Sequence, residues 1–295
     1  MNALPRSVPS GGQLAMFGRA RPRNQLLKWI GNKYRHAGQI ADILPSTYRR
    51  YIEPFVGTGA VLATMQPEDG IAGDALRPLI EIWHCLQSCP EKLLEHYERV
   101  WTQYMKHPRE AYARVRASYN AAPNGFDLLF ISRACYGGVV RFTTQGELST
   151  PVGPHKAISP DALADRIAVW RERVANTRFV HADFEETMAQ AGEGDVIYCD
   201  PPYVDSQPIL YGSQGFRLHR LWEAIQGARS REARIALSLD GMKKSGRVYV
   251  SIQPPDGLFE REMMLDSGRS MLRRFQKSGE SMAGETVHER LLLTW

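Results

Sequence analysis

Asp200-Pro201-Pro202-Tyr203 sets a carboxylate, two proline rings and a phenol directly after the apolar run Val196-Ile197-Tyr198-Cys199. Pro201 carries no N–H, and the paired rings stiffen the turn. The Asp200 carboxylate and the carbonyls of the turn are then acceptors able to converge on one donor, with the Tyr203 ring as a stacking face. A planar base bearing an exocyclic NH2 suits that arrangement. The lone pair of such an amine is delocalised into its ring. Accepting the amine's protons draws the nitrogen toward sp3 and frees the lone pair to attack a methyl donor. A Pro-Pro turn closing a strand is also an ordinary loop, so the tetrapeptide takes its meaning from what stands upstream.

Phe55-Val56-Gly57-Thr58-Gly59 falls where the run Tyr51–Phe55 turns into a short helix reaching Met65. Glycines there permit positive φ and let a ligand approach the backbone. Asp74 closes the next strand, Ile71–Gly73, where an acidic side chain can take a ribose's hydroxyls or cap the segment that follows. Asp183-Phe184 can bracket an adenine ring; Asp183 can equally be the N-cap of Glu185–Ala191. Lys28-Trp29-Ile30-Gly31-Asn32-Lys33 puts two lysines and a tryptophan around a glycine. Beside a ligand's carboxylate, Lys33 would be a point-charge partner and Trp29 a wall; by itself the stretch also reads as a helix start.

These positions need elements to hold them. Strands are expected at Tyr51–Phe55, Ile71–Gly73, Arg178–Ala182, Val196–Cys199 and Arg234–Leu239, with a closing pair near Val248–Ile252 and Val287–Thr294. From Leu76 to about Tyr119 the pattern is helical, broken near Cys89-Pro90 and His107-Pro108. Ala121 to Pro154 reads as irregular. Ser159-Pro160-Asp161 supplies an N-cap with proline at the first helical position, and Leu163, Ile167, Trp170 and Val174 share one helical face. Strands interleaved with helices argue for an α/β sheet, and ligands of open α/β sheets lie beyond the carboxyl ends of the strands. Residues 1–25 read as a loosely held arm, 26–87 and 176–295 as the main domain, and 88–175 as an inserted, mainly helical one.

Bulk properties narrow the class. The 295 residues are 43% hydrophobic and 23% charged, ordinary for a soluble globular chain. No apolar run approaches a membrane span, and the N-terminus has no signal-peptide core, so a cytoplasmic protein is expected. The four cysteines, Cys85, Cys89, Cys135 and Cys199, are scattered, and no Cys/His set has zinc spacing. No metal is expected. The net charge of +5 mildly favours a polyanionic partner.

Taken in order, Lys28-Trp29-x-Gly31-x-Lys33, Glu53-Pro54-Phe55-x-Gly57-x-Gly59, Asp74 and Asp200-Pro201-Pro202-Tyr203 resemble the Dam-like DNA adenine N6-methyltransferases. Arg133-Ala134-Cys135-Tyr136-Gly137-Gly138-Val139-Val140-Arg141-Phe142 and Gly146-Glu147-x-x-x-Pro151-x-Gly153 are similar to that family's segment between its recognition domain and the strand before the catalytic motif. The resemblance spans about residues 28 to 203. It implies a Rossmann-like methyltransferase fold carrying an inserted DNA-recognition domain, with S-adenosylmethionine as methyl donor.

By that resemblance Trp29, Lys33, Phe55, Asp74, Asp183, Phe184 and Asp200 line the donor site, and Gly57 and Gly59 give the donor's methionine part its backbone access. Asp200, Pro201, Pro202 and Tyr203 hold a flipped adenine. Arg133, Tyr136 and Arg141 approach DNA, although Tyr136 can simply pack and one arginine can pair with Glu147. Asn32 stands where many relatives have glycine, and Ala134-Cys135 and Gly137 depart from the Dam pattern, which leaves the recognised DNA word open. The basic run at 268–277, with Arg269, Arg273, Arg274 and Lys277, reads either as a DNA-contacting loop or as a solvated charged face.

Double-stranded DNA is thus the expected partner, with a cognate restriction endonuclease as a possible second one and a monomer or weak dimer as the working state. DNA cytosine N4-methylation, ribosomal RNA guanine N2-methylation and a non-catalytic DNA-binding protein on the same fold are the alternatives. Cytosine C5-methylation is disfavoured, because no cysteine here follows a proline to serve as nucleophile.

Overall fold

The computed structural model describes residues 19–29, 31–202, 216–243, 252–269, 276–277, 280–281 and 286–295. Its centre is a seven-stranded sheet built from β1 (Tyr51–Glu53), β2 (Gly70–Asp74), β3 (Thr177–His181), β4 (Val196–Cys199), β5 (Arg234–Lys243), β6 (Arg261–Arg269) and β9 (Thr286–Leu293), with β7 (Gln276–Lys277) and β8 (Glu280–Ser281) pairing separately. The order across the sheet is β3-β2-β1-β4-β5-β9-β6. The five strands β1 to β5 are parallel, and β9 runs antiparallel between β5 and β6. From β1 the chain winds outward one way through β2 and β3, then returns to add β4 and β5 on the other side. The crevice between the carboxyl ends of β1 and β4 is therefore the topological switch point, where open sheets of this kind bind ligands.

Strands covered on both faces read as continuous apolar runs, and successive side chains alternate between the faces. In β1 and β4, Tyr51, Val196 and Tyr198 join one core cluster, while Ile52, Ile197 and Cys199 join the other. The second face is covered by α8 (Phe184–Met188) and α9 (Leu218–Ser230). On the first lie α1 (Ala37–Ile43), α2 (Leu62–Met65), α3 (Arg77–Ser88) and α7 (Pro160–Arg173).

Between α3 and α7 come α4 (Pro90–Lys106), α5 (Pro108–Ala121) and α6 (Gly125–Ala134). The prolines at the first positions of α4 and α5 explain the two breaks expected from the sequence. Phe130 of α6 packs against Tyr97 and Tyr104 of α4, and this apolar core is continuous with that under the sheet.

Three expectations change. The stretch 121–154 is not wholly irregular, since α6 occupies 125–134, capped by the Asn124 side chain accepting from the Asp127 N–H at 2.9 Å. The strand beside β9 at the sheet edge is Arg261–Arg269; residues 248–251 lie outside the described ones, and both sides of β9 are taken by β5 and β6. Residues 19–25 are not loose: the Arg173 guanidinium donates to the Ala20 carbonyl, Trp170 Nε1 to Asn24 at 2.8 Å and Arg166 to Gln25 at 2.6 Å. Residues 1–18 lie outside the described residues.

Candidate active site at the carboxyl ends of β1 and β4

The loop leaving β1 is shaped by its neighbour β2. Gly57, at φ +47°, donates its N–H to Asp74 Oδ2 at 3.1 Å, and its carbonyl accepts from Trp83 Nε1 at 3.2 Å. Asp74 Oδ1 accepts the Leu76 N–H at 2.9 Å, an Asx turn that starts the descent into α3. Asp74 thus caps the following segment and also lines the cavity above the loop. Burial raises its pKa, against the pull of the Leu76 and Gly57 amides. Gly59 serves otherwise than expected. At φ +61° it does not line the cavity; a Cβ there would stand 3.1 Å from the Trp83 ring, so its smallness is a packing requirement.

One end of the cavity is aromatic. Phe55 and Phe184 stack with centroids 5.2 Å apart, and Phe216 meets Phe55 edge-on at 6.0 Å. Asp183 caps α8 by accepting the Glu185 N–H, and it lines the cavity as well. Arg220 lies over the Phe184 ring and pairs with Asp183 at 3.0 Å and Glu185 at 2.7 Å. Phe216 and Arg220 escaped the sequence reading, because α9 carries no motif and its start is set beside Phe184 only by the fold.

At the other end the charges gather. Lys33, only 5% exposed, places Nζ 2.7 Å from Asp200 Oδ1 and 2.7 Å from Glu289 Oε1. Burial alone would lower the lysine's pKa; the two carboxylates reverse this and hold it above the usual value. Two carboxylates of the protein itself thus stand beside Lys33, where the sequence suggested a ligand's carboxylate. Glu53, at the end of β1, is buried, lines the cavity and accepts the Tyr51 hydroxyl at 2.8 Å. Burial pushes its carboxyl well above the usual range, and the neighbouring Asp200 charge adds to the effect.

Trp29 is buried and forms part of the cavity wall. Asn32 staples its loop by donating to the Trp29 carbonyl and accepting from Gln25 Nε2 at 2.9 Å and the Tyr34 N–H at 3.2 Å. Pro201 and Pro202 complete the mouth beside Asp200. Enclosed by these residues is a cavity of about 250 Å³. Its lining runs from an aromatic end through Asp74 to buried carboxyls, matching a ligand with a flat base, a ribose and an ammonium-bearing tail.

The matched family description decides what this site belongs to: that of the D12 class N6 adenine-specific DNA methyltransferases covers residues 29–238. This chain belongs to that family. The chain is 28% identical over 266 residues to the DNA N-6-adenine-methyltransferase of Escherichia phage P1, covering 88% of this chain and 34% of that protein, so it spans about a third of that relative's length. It is 28% identical over 206 residues to the DNA adenine methylase of Vibrio cholerae, covering 67% of this chain and 73% of that protein. A Lactococcus lactis protein, Type II methyltransferase M1.LlaDCHI, is 24% identical over 187 residues, with 60% and 64% covered. The family's chemistry implies S-adenosylmethionine as methyl donor, and the cavity's residues fit it.

The insert residues separate. Tyr136 is 45% exposed, raised on a turn in which Gly137 and Gly138 both have positive φ. Arg141 is exposed, and its N–H donates to Thr150 Oγ1 at 2.8 Å. Arg133, expected among the DNA contacts, is instead buried, with Nε and Nη2 lacking hydrogen-bond partners. Burial and the Arg166 charge lower its pKa to about 10. Among the described residues no ion pair joins Glu147 to either arginine. Tyr203, Arg273 and Arg274 lie outside the described residues. No described helix is long and apolar enough to cross a membrane, and no metal-binding cluster occurs among the described residues.

Proposed function

We propose that the methyltransferase binds S-adenosylmethionine in this cavity and methylates N6 of an adenine turned out of double-stranded DNA. The observation that carries the proposal is the Asp200 carboxylate, held by Lys33 at 2.7 Å at the cavity mouth, beside the rigid Pro201-Pro202 turn. Phe55, Phe184 and Phe216 face the donor's adenine, Asp74 its ribose, and Glu53 its ammonium, with Gly57 allowing close backbone approach. The donor supplies a sulfonium methyl: the S–C bond breaks with its electron pair left on sulfur as the N6–C bond forms, and N6 then sheds a proton.

The protein's own part is to orient the amine. Asp200 and the Pro201 carbonyl accept hydrogen bonds from the N6 amine, which draws the nitrogen lone pair out of the ring and toward the methyl. Taking the base from its stack costs roughly a few kcal/mol, and stacking on Tyr203 returns about 1–3 kcal/mol. Tyr136 and Arg141 face the DNA. A cytoplasmic monomer or weak dimer, acting alone or with a cognate endonuclease, completes the reading.

Nucleoside mass spectrometry of plasmid DNA from a methylation-deficient host expressing the protein tests it. N6-methyladenine that disappears with Asp200→Ala is expected. N4-methylcytosine instead, methylated RNA alone, or no modified nucleoside would overturn the substrate assignment.

A further inference from the structure

Lys33 belongs to the loop before α1, Asp200 follows β4, and Glu289 lies on β9, separated from β4 by the whole width of β5. Their charged ends nevertheless meet at one buried point. Lys33 Nζ lies 2.7 Å from both carboxylates, with Asp200 19% and Glu289 9% exposed in their side chains. The second Glu289 oxygen lies 3.9 Å from His36 Nε2. Beneath them the Tyr198 hydroxyl and Ser238 Oγ pair at 2.8 Å, so the floor of the cluster is itself hydrogen-bonded. Glu289 lies beyond the matched segment 29–238, so membership of the family does not assign it a role.

Charge counting shows what Glu289 changes. A buried Asp200 paired only with Lys33 forms a neutral couple, and a neutral couple is a poor acceptor for an amine becoming cationic. During transfer the positive charge moves from sulfonium to N6. A cluster of two carboxylates and one ammonium carries one net negative charge, and in a poorly hydrated site such a charge acts strongly at short range. Glu289 also holds the same ammonium that meets Asp200 Oδ1, which helps fix Asp200.

We propose that Glu289 is a positioning residue for methyl transfer: it shares Lys33 with Asp200 and keeps the amine-accepting cluster at a net negative charge. This rests on the reading of the cavity as a methyl-transfer site. Glu289 touches neither donor nor base; it acts through Lys33 on Asp200.

The test compares the full chain with Glu289→Gln, which keeps shape and removes charge, and Glu289→Asp, which keeps charge on a shorter arm. Single-turnover transfer to duplex DNA, donor affinity by calorimetry and melting temperature are measured for each. Glu289→Gln is expected to lose about 10- to 100-fold in transfer rate, with donor affinity within about threefold of wild type, while Glu289→Asp keeps most of the rate. A Glu289→Gln rate within about threefold of wild type overturns the proposal. So does an equal loss in both variants that follows their melting temperatures, because that is the mark of a purely structural ion pair. Wild-type protein that transfers no methyl to adenine overturns this proposal together with the functional reading beneath it.

Discussion

The Gly57 N–H donates to Asp74 Oδ2 at 3.1 Å, so the residue that ends β2 sets the shape of the loop that ends β1. With the Leu76 N–H on its other oxygen, Asp74 ties two backbone segments together at the cavity wall.

Asp74→Ala removes both bonds, each worth about 0.5–1.5 kcal/mol. The expected result is a melting temperature lower by roughly 2–8 °C and a donor affinity at least about tenfold weaker, since the loop and the ribose partner go together. Calorimetry and thermal unfolding check this. Unchanged donor affinity would remove Asp74 from the site.

The two loop glycines are expected to fail differently. Gly59→Ala forces a Cβ to within 3.1 Å of Trp83 at φ +61°. It is expected to lower stability by about 1–3 kcal/mol, with donor affinity nearly kept in the folded fraction. Gly57→Ala has room, with its nearest neighbour at 4.0 Å, but it lines the cavity at φ +47°. Its larger effect should be on donor affinity. Titration of both variants decides the matter, and the reverse pattern would refute the distinction.

Glu53 gives a pH dependence with a defined sign. Its folded-state pKa is raised by burial, so its contribution to stability is fully present below the ordinary glutamate range and is lost as pH rises toward the folded value. Glu53→Gln removes that loss. The stability of Glu53→Gln relative to wild type should therefore rise as pH climbs above the ordinary glutamate range, by up to about 1.4 kcal/mol per pH unit. A flat difference in urea unfolding over that climb would contradict it.

Asp195 carries the opposite sign. Its side chain is fully buried, and Arg49 and Arg50 each place Nη2 2.8 Å from Oδ2. Burial would raise its pKa, but the Arg50, Gly192 and Arg49 hydrogen bonds lower it. Its stabilisation is present above the ordinary aspartate range and is lost as pH falls through the folded value. Asp195→Ala should cost about 1–3 kcal/mol at pH 7, the discount reflecting arginine heads that reach water once released, and less below pH 3. A cost that does not shrink on acidification would exclude the ion-pair origin.

Much of this architecture was legible because local chemistry coincided with the fold. Ser159 caps α7 as its type and the following Pro160 require, and Leu163, Ile167, Trp170 and Val174 are all buried along the expected face. The α6 helix was not legible, since Gly125 and nearly all its residues up to Ala134 are buried and no polar face marks a helical period. At the sheet edge, β6 mixes Arg261 and Glu262 with a half-exposed Met264, a composition that edge strands adopt and sequences hide. In the site, Asp74, Phe184 and Asp200 stood in recognisable patterns. Phe216 and Arg220 reach the cavity, and Glu289 reaches Lys33, from elements far away in sequence, where a lone glutamate in a strand or an arginine in a helix gives no signal.

Methyl transfer through Asp200 is tested most directly by single-turnover reaction of purified protein with labelled S-adenosylmethionine and duplex DNA, wild type against Asp200→Ala. The far-ultraviolet spectrum of each is recorded to show that the fold is kept. The expected result is labelled N6-methyladenine from the wild type and a rate at least about a thousandfold lower from the folded variant. A folded Asp200→Ala protein that methylates adenine within about tenfold of the wild-type rate would contradict the account.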